Sequence, residues 1–125
     1  MTGPYLEEAH AAGIQFVNVS PIRDDIADHL SPEWLAIRPN TDVALMLGLA
    51  HTLETEGLSD HEFLDTYCVG FPKFRDYLLG TNDANSKDAD WAASICELPA
   101  DEIRALARRM ATSRTLINTN WSLQR

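Results

Sequence analysis

Basic residues are scarce: 10 Lys and Arg face 19 Asp and Glu in 125 residues, a formal net charge of -9 and an isoelectric point near 4.7. A surface this acidic repels phosphate backbones unless its few cations cluster, and these are spread along the chain. That argues against nucleic acid as a main partner. Cysteine is scarcer still. Cys68 and Cys96 have no second Cys or His around them at zinc-ligand spacing, so neither a disulfide framework nor a structural zinc site is expected. Their apolar neighbours Tyr67, Val69, Ile95 and Leu98 suggest two buried, unreactive thiols. Long hydrophobic runs are missing too. The run Val43 to Leu47 resumes after Gly48 only to meet His51, well short of the roughly 20 residues a bilayer span needs, so no membrane span is expected. Met1 to Ala12 has neither a basic region nor an apolar one and does not read as a secretory signal. Four histidines, His10, His29, His51 and His61, are scattered and read as surface or packing residues. No G-x-G-x-x-G, P-loop, G-x-S-x-G or H-E-x-x-H occurs.

What is present is one small domain's length of chain, 45% hydrophobic, with alternating helix and strand signals. Pro4 to Ala12 carries helix formers closed by Gly13, and Ile14 to Val19 is β-branched and aromatic before the turn Ser20-Pro21. Ile22 to Ser31 has room for a short helix at most, and Trp34 to Ile37 is a second strand candidate stopped by Arg38-Pro39. Asn40 or Thr41 is placed to cap a helix through Leu53 with hardly any polar face, and Gly48 inside it predicts close approach by another element. Ser59 with Glu62 reads as a capping box opening a helix to about Tyr67, and Phe71 to Leu79 is a further helical turn or two. Ala89 to Cys96 is a short helix. Pro99 opens the clearest one, with Ile103, Leu106, Ala107 and Met110 on one face, acids early and arginines late. Thr115 to Thr119 reads as a third strand.

Strands separated by helices predict an α/β fold, a partial Rossmann-like layer with parallel strands and flanking helices. Three strands are few for such a sheet, and a chain that stops just after one suggests a piece of a larger domain. In open α/β sheets ligands sit beyond the carboxyl ends of the strands. The candidates there are Val19, Ser20, the Asn40-Thr41-Asp42 turn, and Trp121, Ser122, Gln124 and Arg125. The start of a helix at Asn40 to Asp42 offers free backbone N–H groups, and Asp42 suits a base amino group or sugar hydroxyl; a plain helix cap is the simpler reading of the same residues. Trp121 and Arg125 suit a planar or phosphorylated ligand, because guanidinium pairs bidentately with phosphate.

The run Arg38 to Leu53, then Phe63-Leu64, Tyr67 to Phe71, Tyr77 to Gly80, Trp91-Ala92, Ile103 to Ala107 and the final Trp121 to Arg125 resembles the dimethyl sulfoxide reductase family of molybdopterin oxidoreductases. The likeness is strongest to trimethylamine-N-oxide, biotin sulfoxide and dimethyl sulfoxide reductases, from about Ile14 onward. Members are several times longer and bind molybdenum between two molybdopterin guanine dinucleotides. The resemblance implies that residues 1–125 are an internal fragment of the molybdopterin guanine dinucleotide-binding α/β domain. It also implies that the parent reduces a small-molecule N-oxide or S-oxide by oxygen-atom transfer, fed by an electron donor such as a cytochrome or reductase protein. It favours the periplasm over the cytoplasm.

By the same resemblance Val19, Ser20, Asn40, Thr41 and Asp42 lie at the guanosine end, and Trp121, Ser122, Gln124 and Arg125 near the pterin and phosphates. Ser20 stands where the family usually has an acidic residue. The serine that ligates molybdenum lies upstream of this segment, so no serine here takes that role, no catalytic or metal-ligating residue is expected, and the isolated chain is expected to be inactive. The competing reading is a stand-alone nucleotide-binding or adaptor domain without redox activity; a third is a degenerate remnant that no longer folds.

Overall fold

The computed structural model describes residues 3–119. They form two compact units, divided between Pro39 and Asn40.

In the first unit, helix α1 (Gly3–Ala11) ends where Gly13 takes φ +85°, with the amides of Ala12, Gly13 and Ile14 returning to the carbonyls of Glu8, His10 and Ala9. Strand β1 (Val17–Val19) lies parallel to β2 (Glu33–Leu35), pairing Val17 with Glu33, Asn18 with Trp34 and Val19 with Leu35. Two single 3-10 turns, Arg23–Asp25 and Asp28–Leu30, make the connection. Asn18 is polar in mid-strand and only 5% exposed, and its amide is satisfied by the carbonyls of Ile22 (3.4 Å) and Arg23 (3.0 Å). It thereby ties the first 3-10 turn to β1. Both strands are shorter than the β-branched runs suggest, because a ladder extends only as far as two chains stay side by side.

The second unit is helical. α2 (Asp42–Thr55) packs on α5 (Ala89–Cys96) and α6 (Ala100–Thr112), with α3 (His61–Tyr67) and α4 (Phe71–Leu78) between them in sequence. Ala44, Leu45, Leu47, Leu78, Ala92, Cys96, Leu98, Ile103 and Ala107 are buried. Gly48 is required by the α2–α5 approach: a Cβ there would stand 2.7 Å from the Cβ of Ala92. α5 begins at Asp88, whose Oδ1 accepts from the Trp91 amide at 2.8 Å. α6 is oriented by Arg104 on Asp101 and Asp90, and by Arg108, which forks onto both Glu56 oxygens at 2.8 Å.

The molecule is thus mixed α/β, mostly helical, with a two-stranded parallel sheet among the described residues. Several expectations are corrected. Thr115 to Thr119 forms no strand; Leu116 is 91% exposed, since a β-branched run without a neighbouring strand has no ladder to join. The cap of α3 is Asp60, whose Oδ1 accepts from the Phe63 amide at 2.9 Å, one residue after the expected Ser59. Pro99 precedes α6 rather than opening it. Cys96 is buried as expected, but Cys68 is exposed, because it follows the last turn of a short helix that buries none of its own residues. No described helix is long and apolar enough to cross a membrane.

Candidate functional site

At the carboxyl end of β1, Val19 is partly exposed and Ser20 is 7% exposed. The Ser20 amide continues the ladder to the Leu35 carbonyl at 3.3 Å, and its carbonyl accepts from the Trp34 indole N–H at 2.8 Å. The Ser20 hydroxyl accepts from the Ile22 amide at 3.0 Å and donates to Asp25 Oδ2. Arg23 lies over the Trp34 ring at 6.0 Å and faces Asp28 at 3.9 Å. So β1 ends in a short loop pinned at both sides, by Asn18 from within the strand and by Trp34 from the next one.

Asp25 and Trp34 were not among the expected site residues. A carboxylate five residues past the strand is visible in Ser20-Pro21-Ile22-Arg23-Asp24-Asp25. What the sequence does not display is the 3-10 turn that folds Asp25, rather than Asp24, back onto Ser20.

In the second unit Asn40 is exposed and takes φ +63°, a left-handed turn that asparagine tolerates better than most residues. Thr41 is the residue before α2; its carbonyl accepts from Ala44 and Leu45, and its side chain makes no capping bond to the helix. The expected side-chain cap is therefore absent at Thr41. Asp42, half-buried in the first turn, sits where the helix dipole favours a negative charge. The N–H groups that open α2 have no intrahelical carbonyl to reach. Together these give a helix start carrying both donors and a carboxylate. Trp121, Ser122, Gln124 and Arg125 lie outside the described residues.

A different arrangement occupies the other end of α2, roughly 18 Å of helix away. There an apolar groove of about 290 Å³ runs between Leu53, Leu58, Phe63, Phe71, Phe74 and Leu78. Beside it the Glu54 carboxylate, its side chain 3% exposed, meets Arg75 and, at 3.3 Å, His61. Burial alone would raise this carboxyl, but the hydrogen bonds of Arg75 and Ser59 and the charges of His61 and Arg75 outweigh it and hold it below its ordinary value. His51, against Ser86 Oγ at 2.7 Å, is lowered by burial, only partly offset by the charge of Asp88. Neither pairing is legible in the sequence: Glu54 and Arg75, and His51 and Ser86, are far apart in the chain.

No family model matches the chain. Among curated proteins it is 48% identical over 124 residues to a trimethylamine-N-oxide reductase of Salmonella typhi, covering 96% of this chain and 15% of that protein. A biotin sulfoxide reductase of Cereibacter sphaeroides is 44% identical over 97% of this chain and 16% of its own length. By sequence, the chain is similar to one part of these N-oxide and S-oxide reductases. The dimethyl sulfoxide/trimethylamine N-oxide reductase of Cereibacter sphaeroides adds 46% identity over 90% of this chain and 14% of its own. In each case the segment spans about one seventh of the relative's length. Among solved structures, acetylene hydratase from Pelobacter acetylenicus matches with a TM-score of 0.72 and 29% identity, over 86% of this chain and 14% of that one. The segment therefore shares sequence with one part of these reductases and fold with one part of acetylene hydratase.

Proposed function

We propose that residues 1–125 are part of a longer molybdenum-dependent N-oxide or S-oxide reductase and lie in the α/β domain that holds one molybdopterin guanine dinucleotide. The observation that carries this reading is identity above 40% over nearly the whole chain to proteins named for reducing trimethylamine N-oxide, dimethyl sulfoxide and biotin sulfoxide.

The donor set suits the guanosine end of such a cofactor. Guanine presents N–H donors and the ribose presents hydroxyls, and both are best met by carboxylates and backbone groups. Asp42 is the carboxylate at the start of α2, flanked by Asn40 and Thr41, while Val19 and Ser20 form the strand end. Trp121, Ser122, Gln124 and Arg125 would meet the pterin and phosphates, a broad aromatic face and a planar cation being suited to those groups.

The bound cofactor would supply two-electron oxygen-atom transfer to and from the metal. This segment's part is to bind and orient one end of it, since cofactor enzymes leave the bond breaking to the cofactor and supply binding and electrostatics themselves. A small N-oxide or S-oxide would be the substrate, and a cytochrome or reductase protein the electron donor.

The test is the purified full-length protein. It should contain molybdenum, release guanine nucleotide on mild acid hydrolysis, and reduce trimethylamine N-oxide or a sulfoxide with a reduced viologen dye. A full-length protein with neither metal nor guanine nucleotide would leave a nucleotide-binding or adaptor module as the better description.

A further inference from the structure

Helix α3 is seven residues long and buries none of them. A helix that short owes its stability to the packing of an apolar face rather than to its own hydrogen bonds, and the face α3 offers carries Phe63 and Leu64. Phe63 is 53% exposed and Phe74 of α4 is 41% exposed, and both line the apolar groove of about 290 Å³ at the far end of α2. Aromatic faces left in water around a cavity mark a surface that is built to be covered.

The groove is not wholly apolar. Glu54, its side chain 3% exposed, is one of the lining residues. Its Oε1 accepts from Arg75, but its Oε2 is buried and makes no hydrogen bond among the described residues; the His61 ring nitrogen stands 3.3 Å away without completing one. Buried polar atoms are almost always paired, and an unpaired one is costly, so such an acceptor at the wall of a cavity calls for a donor from whatever fills it. The charges beside it narrow the choice. A second cation would meet the Arg75 guanidinium and an anion would meet Glu54 itself, which leaves an uncharged N–H or O–H. Tryptophan and tyrosine side chains combine one such donor with a broad apolar body.

We propose that the groove between α2, α3 and α4 receives a segment of the same polypeptide from outside residues 1–125, which inserts a tryptophan or tyrosine whose N–H or O–H donates to Glu54 Oε2. This rests on one part of the reading above, that the chain is a piece of a longer protein. The chain spans about one seventh of the relatives' length, so most of the polypeptide that is able to cover this face lies elsewhere in such a protein. Half-exposed rings on the rim suit a length of chain better than a small molecule, which proteins usually enclose far more completely.

The experiment places the photoreactive aromatic residue p-benzoylphenylalanine at position 63 of the purified full-length protein and, in a second preparation, at position 74. After irradiation at two protein concentrations, crosslinked peptides are identified by mass spectrometry. The expected product is an intramolecular crosslink from at least one of the two positions to a peptide outside residues 1–125 that contains a tryptophan or tyrosine, in a yield that does not change on dilution. Replacing that tryptophan or tyrosine by leucine, which removes the donor, should lower the yield several-fold. No crosslink from either position, a crosslink confined to residues 1–125, or one to a second copy that fades on dilution would overturn the proposal. So would a crosslinked peptide with neither tryptophan nor tyrosine, or a yield that the leucine replacement leaves unchanged. If the full-length protein holds neither molybdenum nor guanine nucleotide, the reductase reading fails while the crosslink still decides this one, because cofactor content does not enter the readout.

Discussion

Glu54 shows how much a single side chain depends on its partners. It is a carboxylate with 3% of its side chain exposed, kept charged by Arg75, Ser59 and His61 against the cost of burial. Because its folded value lies below its unfolded one, it contributes stability above the ordinary carboxylate range, and that contribution drains away as pH falls through it. Arg75→Ala should cost about 1–2 kcal/mol at neutral pH, a figure limited by the half-exposure of Arg75, and acid unfolding should begin at a higher pH. Urea titrations between pH 7 and 3 measure both. His51 acts in the same direction at a higher pH: its lowered value means the fold prefers the neutral ring, so stability is lost as pH drops below about 6.5. His51→Gln should flatten the stability profile between pH 7 and 5; an unchanged profile would show that His51 is not responsible for the slope. The cysteines differ at this scale as well. One thiol, Cys68, should react with a water-soluble disulfide reagent in the folded chain and a second, Cys96, only after denaturation. The burial of Cys96 was legible in its apolar neighbours, whereas the settings of Glu54 and His51 were not, because each depends on which distant side chain folds against the residue.

At the scale of elements, local signals carried well where they coincided with packing. Ala89 to Cys96 is a helix with the expected bounds, and the glycine expected to admit another element is the one that touches Ala92. Gly48→Ala would improve helix propensity by about 1 kcal/mol but force two Cβ atoms together at 2.7 Å. The net effect should be a destabilisation of about 1–2 kcal/mol. The double variant with Ala92→Gly should regain much of it, as a denaturant double-mutant cycle would show. Local signals failed where they stood alone. Thr115 to Thr119 has a strand's composition but joins no strand among the described residues, and Ser59 with Glu62 has the spacing of a capping box while Asp60 makes the cap. Composition states what a segment tolerates; the neighbour decides what it becomes.

For the whole molecule, the ordered series of motifs along the chain goes with relatives aligned over 96% and 97% of it. The placement of the candidate residues was legible in part. Val19, Ser20 and Asn40 to Asp42 fall at a strand end and a helix start as their pattern indicates, whereas the 3-10 turn that brings Asp25 to Ser20 leaves no mark in the sequence. Asp42 is the sharpest probe of the proposed guanosine contact, because it offers a carboxylate at a helix start and lies in the turn that the resemblance assigns to guanosine. The measurement is guanine nucleotide per mole of purified full-length protein, wild type against Asp42→Ala, with the cofactor-free thermal midpoint taken alongside. A several-fold fall in guanine nucleotide is expected, beyond what the midpoint accounts for, since an Asp in the first turn is worth only about 0.3–1 kcal/mol through the helix dipole. Equal guanine nucleotide in the two proteins would contradict the account.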